Sequence, residues 1–176
     1  MRPAVLVSLC SVGCGGATVE SKQASPCDGV KGVPSAPEAA GDGEHYRGLT
    51  CLIVEVDMVG VRRDACAGTL DLRVQDGVLQ GIGVCRYVGL PGERGLAELL
   101  PGDQSADVWG QRAGQSWDGD ITVHTDLGVF TWAWDGHWEG AGTVISGDVL
   151  GESTVGLGGQ TYTIEGQGSF EAWSID

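Results

Sequence analysis

Short runs of alternating apolar and polar residues, separated by glycine, follow one another from Leu49 to the end of the chain. Alternation with a period of two is typical of β-strands, and glycine at the joints allows the positive φ angles that tight turns require. Glycine accounts for 31 of the 176 residues, without the three-residue period of collagen. The pattern therefore predicts a folded all-β domain over residues 47–176 rather than a flexible glycine-rich chain.

The order of strands and turns predicts the architecture of this domain. Asp76-Gly77 lies between two alternating runs and is the clearest hairpin signal, because a type I′ turn needs positive φ at both central residues. Residues 95–100 fit either one helical turn or an edge strand. The predicted strands cover residues 49–57, 66–74, 78–88, 107–111, 120–127, 129–134, 137–149, 160–167 and 169–173. Their connections are too short for parallel crossovers, so we expect a single antiparallel meander forming a small up-and-down barrel or a two-layer sandwich.

The charge of the chain limits its partners. The formal net charge is −14 at pH 7. Nucleic acids and anionic lipid surfaces are bound through Lys and Arg, so we expect no nucleic-acid partner and no electrostatic attachment to lipid. No lysine follows Lys31, which excludes a lysine nucleophile from the predicted domain.

The first residues have the features of an export signal. Arg2 precedes an apolar stretch over residues 3–9, and this stretch is shorter than the roughly 20 residues that a membrane-spanning helix needs. The segment Ser11-Val12-Gly13-Cys14 resembles the lipobox of bacterial lipoproteins. The resemblance implies that residues 1–13 are a signal peptide, that Cys14 carries lipid, and that the protein is anchored in the cell envelope, at the outer membrane or its periplasmic face. The alternatives are an ordinary secretory signal and a buried apolar strand with two chance cysteines.

Residues 14–46 have the composition of a tether. They are rich in Ala, Ser, Pro and Gly and poor in large apolar residues. Such a segment buries too little apolar surface to offset its ordering entropy, so we predict that it is disordered and holds the domain away from the membrane.

The cysteines that follow Cys14 predict disulfide bonds. Their number is even, which is typical of proteins from oxidising compartments, and three pairings are open. We expect Cys66 to pair with Cys85, and Cys27 with Cys51. A zinc site is disfavoured because the sequence has no CxxC pair and its three histidines are scattered. We therefore predict no metal and no other cofactor.

The pairing of Cys66 with Cys85 depends on the hairpin between them. Both lie at similar distances from the Asp76-Gly77 turn. A strict two-residue turn sets Cys66 opposite Tyr87, and we expect a diagonal neighbour to be too far for a disulfide. The pairing therefore predicts a four-residue loop or a bulge in this hairpin.

The tryptophans are the most distinctive residues of the domain. Phe130, Trp132 and Trp134 share one face of a strand, with small or polar residues on the other, which predicts that they are buried in the core.

A different position is expected for two further tryptophans. A second Asp-Gly pair, Asp135-Gly136, predicts a two-residue turn that sets Trp138 opposite Ala133 on the outward face, whereas a bulged turn would reverse this. We take Trp117 and Trp138 as an exposed pair and as candidate ligand-binding residues. An indole stacks on a sugar ring or packs on a small apolar ligand inside a barrel.

These observations favour a non-enzymatic envelope lipoprotein whose domain binds a ligand or forms part of the envelope surface. One alternative is a carbohydrate-binding module, which needs two or more indoles exposed in one plane. Another is a glycoside hydrolase using an acid pair, for which Asp118/Asp120 and Asp135/Glu139 are candidates among 24 acidic residues. The sequence leaves the ligand and the oligomeric state open.

Overall fold

The computed structural model describes residues 25–58 and 60–175. Within these ranges the chain forms a closed barrel of eight antiparallel strands that follow one another in sequence order. The strands are β1 (Glu44–Asp57), β2 (Val61–Gln75), β3 (Val78–Tyr87), β4 (Asp103–Ala113), β5 (Ser116–Thr125), β6 (Gly128–Glu139), β7 (Val144–Leu157) and β8 (Gln160–Ser174). Strand β8 pairs with β1 and closes the barrel. The predicted all-β meander is confirmed, as a barrel rather than a sandwich.

The hairpin predicted at Asp76-Gly77 forms with a strict two-residue turn. Gln75 at the end of β2 pairs with Val78 at the start of β3. The φ angles of Asp76 and Gly77 are 52° and 77°, as a type I′ turn requires. Both residues favour this turn on conformational grounds, because glycine has no Cβ and aspartate tolerates the left-handed region.

The prediction of a turn at Asp135-Gly136 is wrong. Strand β6 continues through both residues to Glu139, and Gly136 pairs with Gly147 on β7. The chain reverses instead at the 3-10 turn Gly140–Gly142, where the φ angles of all three residues are positive. This later reversal lets β6 form more hydrogen-bonded pairs with its neighbours and keeps Trp138 on the inner face. Strand pairing and core packing therefore both favour it.

Two other segments differ from the predicted boundaries. Residues 160–167 and 169–173 belong to the one strand β8, in which Gly168 pairs with Leu52 instead of ending the run. Residues 95–100 contain a single turn, in which the amide of Leu100 donates to the carbonyl of Leu96 at 2.9 Å. The second of the two alternatives for this segment, an edge strand, is therefore wrong.

The two faces of the barrel wall have opposite character. The inward side chains are mostly apolar and buried, whereas the outward positions are mostly polar or acidic. The interior is filled by side chains, and a gap beside Leu70 and Ile121 has a volume of about 10 Å³. A ligand pocket typically has a volume of several hundred Å³, so the inside of this barrel is a packed core.

The predicted burial of the three aromatic residues on β6 is confirmed. Phe130, Trp132 and Trp134 are 1–2% exposed. Inward-facing glycines on neighbouring strands make room for the large rings: a Cβ at Gly147 would lie 2.5 Å from the Phe170 ring and 2.9 Å from that of Trp134. Glycine in the strands therefore serves the packing of aromatic rings, in addition to the turns that the sequence predicts.

The long connection 88–102 is fastened to one end of the barrel by a buried carboxylate. Asp64 on β2 is fully buried and accepts hydrogen bonds from the amides of Gly89 and Leu96, at 2.7 and 2.8 Å. Leu96 and Leu100 are buried against the core. These contacts close this end of the barrel with apolar side chains.

The disulfide between Cys66 and Cys85 forms inside the barrel, with a Cα–Cα distance of 5.4 Å. Cys66 lies opposite Tyr87, as a two-residue turn requires, and Cys85 lies opposite Gly68. The pairing is confirmed, but the expectation that it needs a longer loop or a bulge is wrong. Gly68 has no side chain to occupy the space beside Cys85, and strand twist shortens one diagonal, so a diagonal pair is close enough.

Residues 25–43 lie along the outer side of the barrel, and we call this segment the strap. The predicted disulfide between Cys27 and Cys51 joins it to β1, with a Cα–Cα distance of 5.8 Å. Pro34 and Ala39 are buried against the wall. The described part of the predicted disordered tether is thus an ordered strap, and residues 44–46 belong to β1. Residues 1–24, with the predicted signal peptide and Cys14, lie outside the described residues.

Candidate functional site

A buried carboxylate fastens the strap to β2. Asp71 points outward from β2, but the strap covers it and leaves its side chain 1% exposed. One carboxylate oxygen accepts hydrogen bonds from the amide of Ala39 at 2.8 Å and from His45 Nε2 at 2.7 Å. The other accepts from Arg47 Nε at 2.6 Å. Asp71 thus holds the strap through the amide of Ala39, while its two side-chain donors, His45 and Arg47, lie on β1.

These donors also set the ionisation of Asp71. Burial by itself raises the pKa of this carboxyl, because it removes water from the charged form. The hydrogen bonds from Ala39, Arg47 and His45, and the charge of His45, outweigh burial and hold the pKa below its ordinary value. Asp71 is therefore held in the folded protein as a carboxylate.

Thr69 provides a second attachment that carries no charge. Its hydroxyl accepts a hydrogen bond from the amide of Ala36 at 2.7 Å and donates one to the carbonyl of Pro34 at 3.1 Å. Thr69 and Asp71 have the outward orientation on β2, two residues apart. Together with the disulfide to Cys51, they fix the strap at several points along its length.

The strap and the barrel wall border an open groove of about 720 Å³. Its floor is formed by residues of β2, β1, β8, β7 and β6, which are neighbours around the barrel. One side is formed by six residues of the strap: Ser25, Cys27, Asp28, Gly29, Val30 and Val33. The side chains with the clearest chemistry are Asp28, Leu49, His137, Glu139, Ser146, Asp148, Ser169, Glu171 and Trp173.

The groove combines carboxylates with two exposed apolar side chains. Trp173 is 40% exposed and Leu49 is 54% exposed. Glu171 lies opposite Leu49 on one neighbouring strand and opposite Ser146 on the other. Among the described residues that line the groove, none is lysine or arginine. The groove is therefore an acidic surface with apolar patches beside the acids.

A short chain of polar contacts lies at the β6 side of the groove. His137 Nε2 lies 3.0 Å from Glu139 Oε1, and the Ser146 hydroxyl donates to the same oxygen at 3.3 Å. These contacts orient one oxygen of Glu139, while the side chain as a whole is 57% exposed.

The predicted exposed pair, Trp117 and Trp138, faces the barrel interior. Trp117 is 1% exposed, and the ring of Trp138 lies edge-on to it with a centroid distance of 5.3 Å. The guanidinium of Arg112 lies 4.1 Å from the centroid of Trp138. The prediction of an exposed pair is wrong because β6 does not turn at Asp135-Gly136, so Trp138 stays on the same face as the core aromatics.

Neither candidate acid pair has both of its members in the groove. Asp118 and Asp120 are exposed on the outward face of β5, and Asp118 lies directly opposite Asp135 on β6. Of the four candidate acids, Glu139 alone lines the groove. The structure therefore does not set either pair across this groove. Within the described ranges, no group of three or more His, Cys, Asp or Glu residues is arranged to hold a metal ion.

Neither Trp173 nor Asp71 is among the candidate site residues that the sequence predicts. Trp173 alternates with apolar Ala172 near the end of β8, and its exposure depends on the closure of β8 against β1. Asp71 stands in a strand pattern as an ordinary outward acid, and its donor Ala39 is 32 residues away. A local pattern carries no signal for either position.

Comparisons with known proteins find little that resembles this chain. No protein-family model matches it, and no curated protein matches it. Among solved structures, the crystal structure of Neisserial surface protein A matches with a TM-score of 0.48 and 7% sequence identity. The match covers 77% of this chain and 100% of that chain. In the described part of this chain, no helix has the length and hydropathy needed to cross a membrane.

Proposed function

We propose that this protein is an exported envelope lipoprotein, anchored through lipid at Cys14, whose barrel is a non-enzymatic binding module with the strap groove as its ligand site. The observation that carries the proposal is the strap itself. A disulfide and a buried carboxylate hold it against the wall, and it forms one side of the groove. Because both the strap and the barrel wall are already held in place, the groove loses little conformational entropy when a ligand binds.

The cysteine chemistry supports export. The four cysteines of the described residues form two disulfides, Cys27–Cys51 and Cys66–Cys85. Such bonds form and persist in oxidising compartments outside the cytoplasm. The export-like N-terminus agrees with this location.

The outer wall supports attachment through lipid. Acidic side chains occupy outward positions on several strands, including Glu55 on β1, Asp118 on β5 and Glu165 on β8. Barrels that cross bilayers present an apolar outer band and a polar interior, and this barrel has the reverse arrangement. The wall also carries the charge that anionic headgroups repel. A lipid on Cys14 would provide the attachment that the barrel surface does not.

A carbohydrate-binding surface made of coplanar indoles is less well supported than a groove that combines acidic and apolar side chains. The exposed tryptophans are Trp109 on β4 and Trp173 on β8. These strands are four apart in a closed barrel of eight, so the two indoles are on opposite sides. A planar stacking surface needs neighbouring rings, whereas the groove offers one indole beside several acids.

The anchor is tested by labelling cells with a fatty-acid analogue and separating membranes from soluble fractions. We expect the wild-type chain to carry the label and to sediment with membranes. Cys14→Ser should lose both properties, while Cys10→Ser, the matched control within the signal, should keep them. Equal labelling and equal membrane association of Cys14→Ser and the wild type would overturn the lipoprotein proposal.

A further inference from the structure

We propose that the strap groove selects a small organic cation, a ligand that carries one or more ammonium groups on an apolar stem. This inference rests on the proposed function of the groove as a ligand site and names the chemical class of its ligand. It is carried by the identity, exposure and relative placement of the groove side chains.

The first argument is the sign of the charge. Carboxylates approach the groove from several elements: Asp28 from the strap, Glu139 from β6, Asp148 from β7 and Glu171 from β8. No lysine or arginine is present among the described lining residues to neutralise them. Charges of one sign on the walls of a concave site concentrate counter-ions there, so this groove attracts cations and repels anionic ligands.

The second argument is the exposed indole. The face of a tryptophan ring attracts ammonium groups. Among the described residues, the cation–π contact is that of Arg112 with Trp138, and it does not involve Trp173. Arg47, which lies opposite Trp173 on β1, directs its Nε to Asp71 at 2.6 Å. Among the residues that the structure describes, no cation therefore lies over the ring of Trp173, which suits it to a cationic ligand.

The third argument is the spacing of acid and apolar groups. Glu171 lies directly opposite Leu49, and Trp173 follows two positions later on the same outward face of β8. Directly opposed side chains have Cβ atoms about 5 Å apart, so a carboxylate and two apolar groups are within a few ångströms of each other. A ligand that joins an ammonium group to methylene groups would contact both kinds of side chain at once.

The size of the groove agrees with a small molecule. Its volume of about 720 Å³ lies within the range of small-ligand sites. The narrow aliphatic chain of a diamine fits such a space without any movement of the strap.

The experiment is calorimetric titration of the full chain carrying Cys14→Ser with three probes that share an eight-carbon stem. The probes are 1,8-diaminooctane, neutral 1,8-octanediol and anionic octanedioate. We expect the diamine to bind at least about tenfold more tightly than the diol, and the dianion to show no binding. Binding of the diamine should weaken as salt is raised.

Paired substitutions locate the site. Trp173→Ala and Asp148→Asn remove groove side chains, while Trp109→Ala and Asp120→Asn remove the same groups from outward positions that do not line the groove. We expect each groove variant to weaken diamine binding by about threefold or more, and the matched controls to leave it within about twofold.

The outcomes separate this inference from the proposed function. If the controls weaken diamine binding as much as the groove variants, the net charge of the protein attracts the diamine and the inference is overturned. If the diol or the dianion binds in a Trp173-dependent way and the diamine does not, the groove remains a ligand site but its preference for cations is wrong. If none of the three probes shows Trp173-dependent binding, the inference is overturned, and a fragment screen read out by Trp173→Ala then decides whether the groove binds anything.

Discussion

The indole of Trp132 lies on the bare backbone of Gly166, so that a Cβ at Gly166 would come within 2.5 Å of Trp132 Cδ2. The same ring extends past Gly151 on β7, where a Cβ would lie 3.3 Å from Trp132 Cδ1. One tryptophan on β6 thus covers glycines on the next two strands of the barrel. Large rings and missing side chains together fill the interior to the density of a protein core.

Loss of the Trp132 ring should be among the most damaging changes to the core. Trp132→Ala removes a fully buried side chain and leaves a cavity, so we expect the free energy of unfolding to fall by about 3–5 kcal/mol. Trp173→Ala removes the same group from the outer wall and should cost less than about 1 kcal/mol. Urea denaturation of the three proteins measures the difference. Similar losses for the two variants would contradict the assignment of Trp132 to the core.

Addition of a methyl group at Gly166 should also destabilise the barrel. Gly166→Ala forces the indole of Trp132 to move, and overpacking of this kind costs about 1–3 kcal/mol. Gly156→Ala is the matched control, because this exposed strand glycine has open space around the position of a Cβ. We expect that control to be neutral or slightly stabilising in the same denaturation assay. A destabilising Gly156→Ala with a neutral Gly166→Ala would show that the ring and the glycine are not in contact.

The attachment of the strap should depend on pH through Asp71. The pKa of Asp71 is lowered in the folded protein, so its stabilising contribution is complete above about pH 4 and is lost as the pH falls through the folded value. Asp71→Asn should cost about 1–3 kcal/mol at pH 7, because it removes the negative charge and replaces one of the two acceptor oxygens with an amino group, which cannot accept from the donors present. The difference from the wild type should shrink in acid.

Thr69→Val provides the control for this pH dependence. It removes two hydrogen bonds to the strap without removing a titratable group, so its cost should stay constant between pH 7 and pH 3. Unfolding free energies measured at both pH values test both variants. A pH-independent cost for Asp71→Asn would argue against a carboxylate as the attachment.

Three aspartates form a row across the outer wall. Asp135 on β6 lies directly opposite Asp118 on β5 and directly opposite Asp148 on β7. Like charges opposite each other destabilise a sheet by some tenths of a kcal/mol, so Asp135→Asn should raise the free energy of unfolding by about 0.2–1 kcal/mol. Asp120→Asn should have little effect, since its partners are Trp109 and Ala133. The gain should decline at 1 M salt, and a loss of stability in Asp135→Asn would contradict this reading of the row.

Local sequence patterns predict those features of the fold, such as turns and strand faces, that depend on residues close together in the chain. The Asp76-Gly77 turn and the inward face of β6 follow from turn chemistry and from alternation, and both are confirmed. Asp135-Gly136 has the same turn chemistry, yet a continuous ladder through Gly136 and the three positive φ angles at Gly140–Gly142 favour a later reversal. A dipeptide signal does not reveal this competition.

The groove depends on contacts between distant parts of the chain. Trp173 lines it because β8 closes against β1, and the strap reaches it through Cys27 and Asp71. The pairing of Cys27 with Cys51 follows once Cys66 is assigned to Cys85, but the ordered path of the strap does not follow from the sequence. Low apolar content predicts disorder for residues 14–46, and three kinds of attachment on the wall offset that tendency for the described part.

The strap and the groove are tested together by removing each disulfide in turn. Cys27→Ser/Cys51→Ser frees the strap, while Cys66→Ser/Cys85→Ser removes a bridge inside the barrel that closes a loop of similar length. Each loss should lower the free energy of unfolding by about 3 kcal/mol, so the two variants are matched in stability.

Calorimetric titration with 1,8-diaminooctane tests the central claim most directly. The affinities of these two folded variants are compared with that of the otherwise intact full chain. We expect Cys27→Ser/Cys51→Ser to lose about fivefold or more in affinity, because the strap supplies one side of the groove and the carboxylate of Asp28. Cys66→Ser/Cys85→Ser should bind as the intact protein does. Equal affinity in all three proteins would contradict the claim that the strap forms the ligand site.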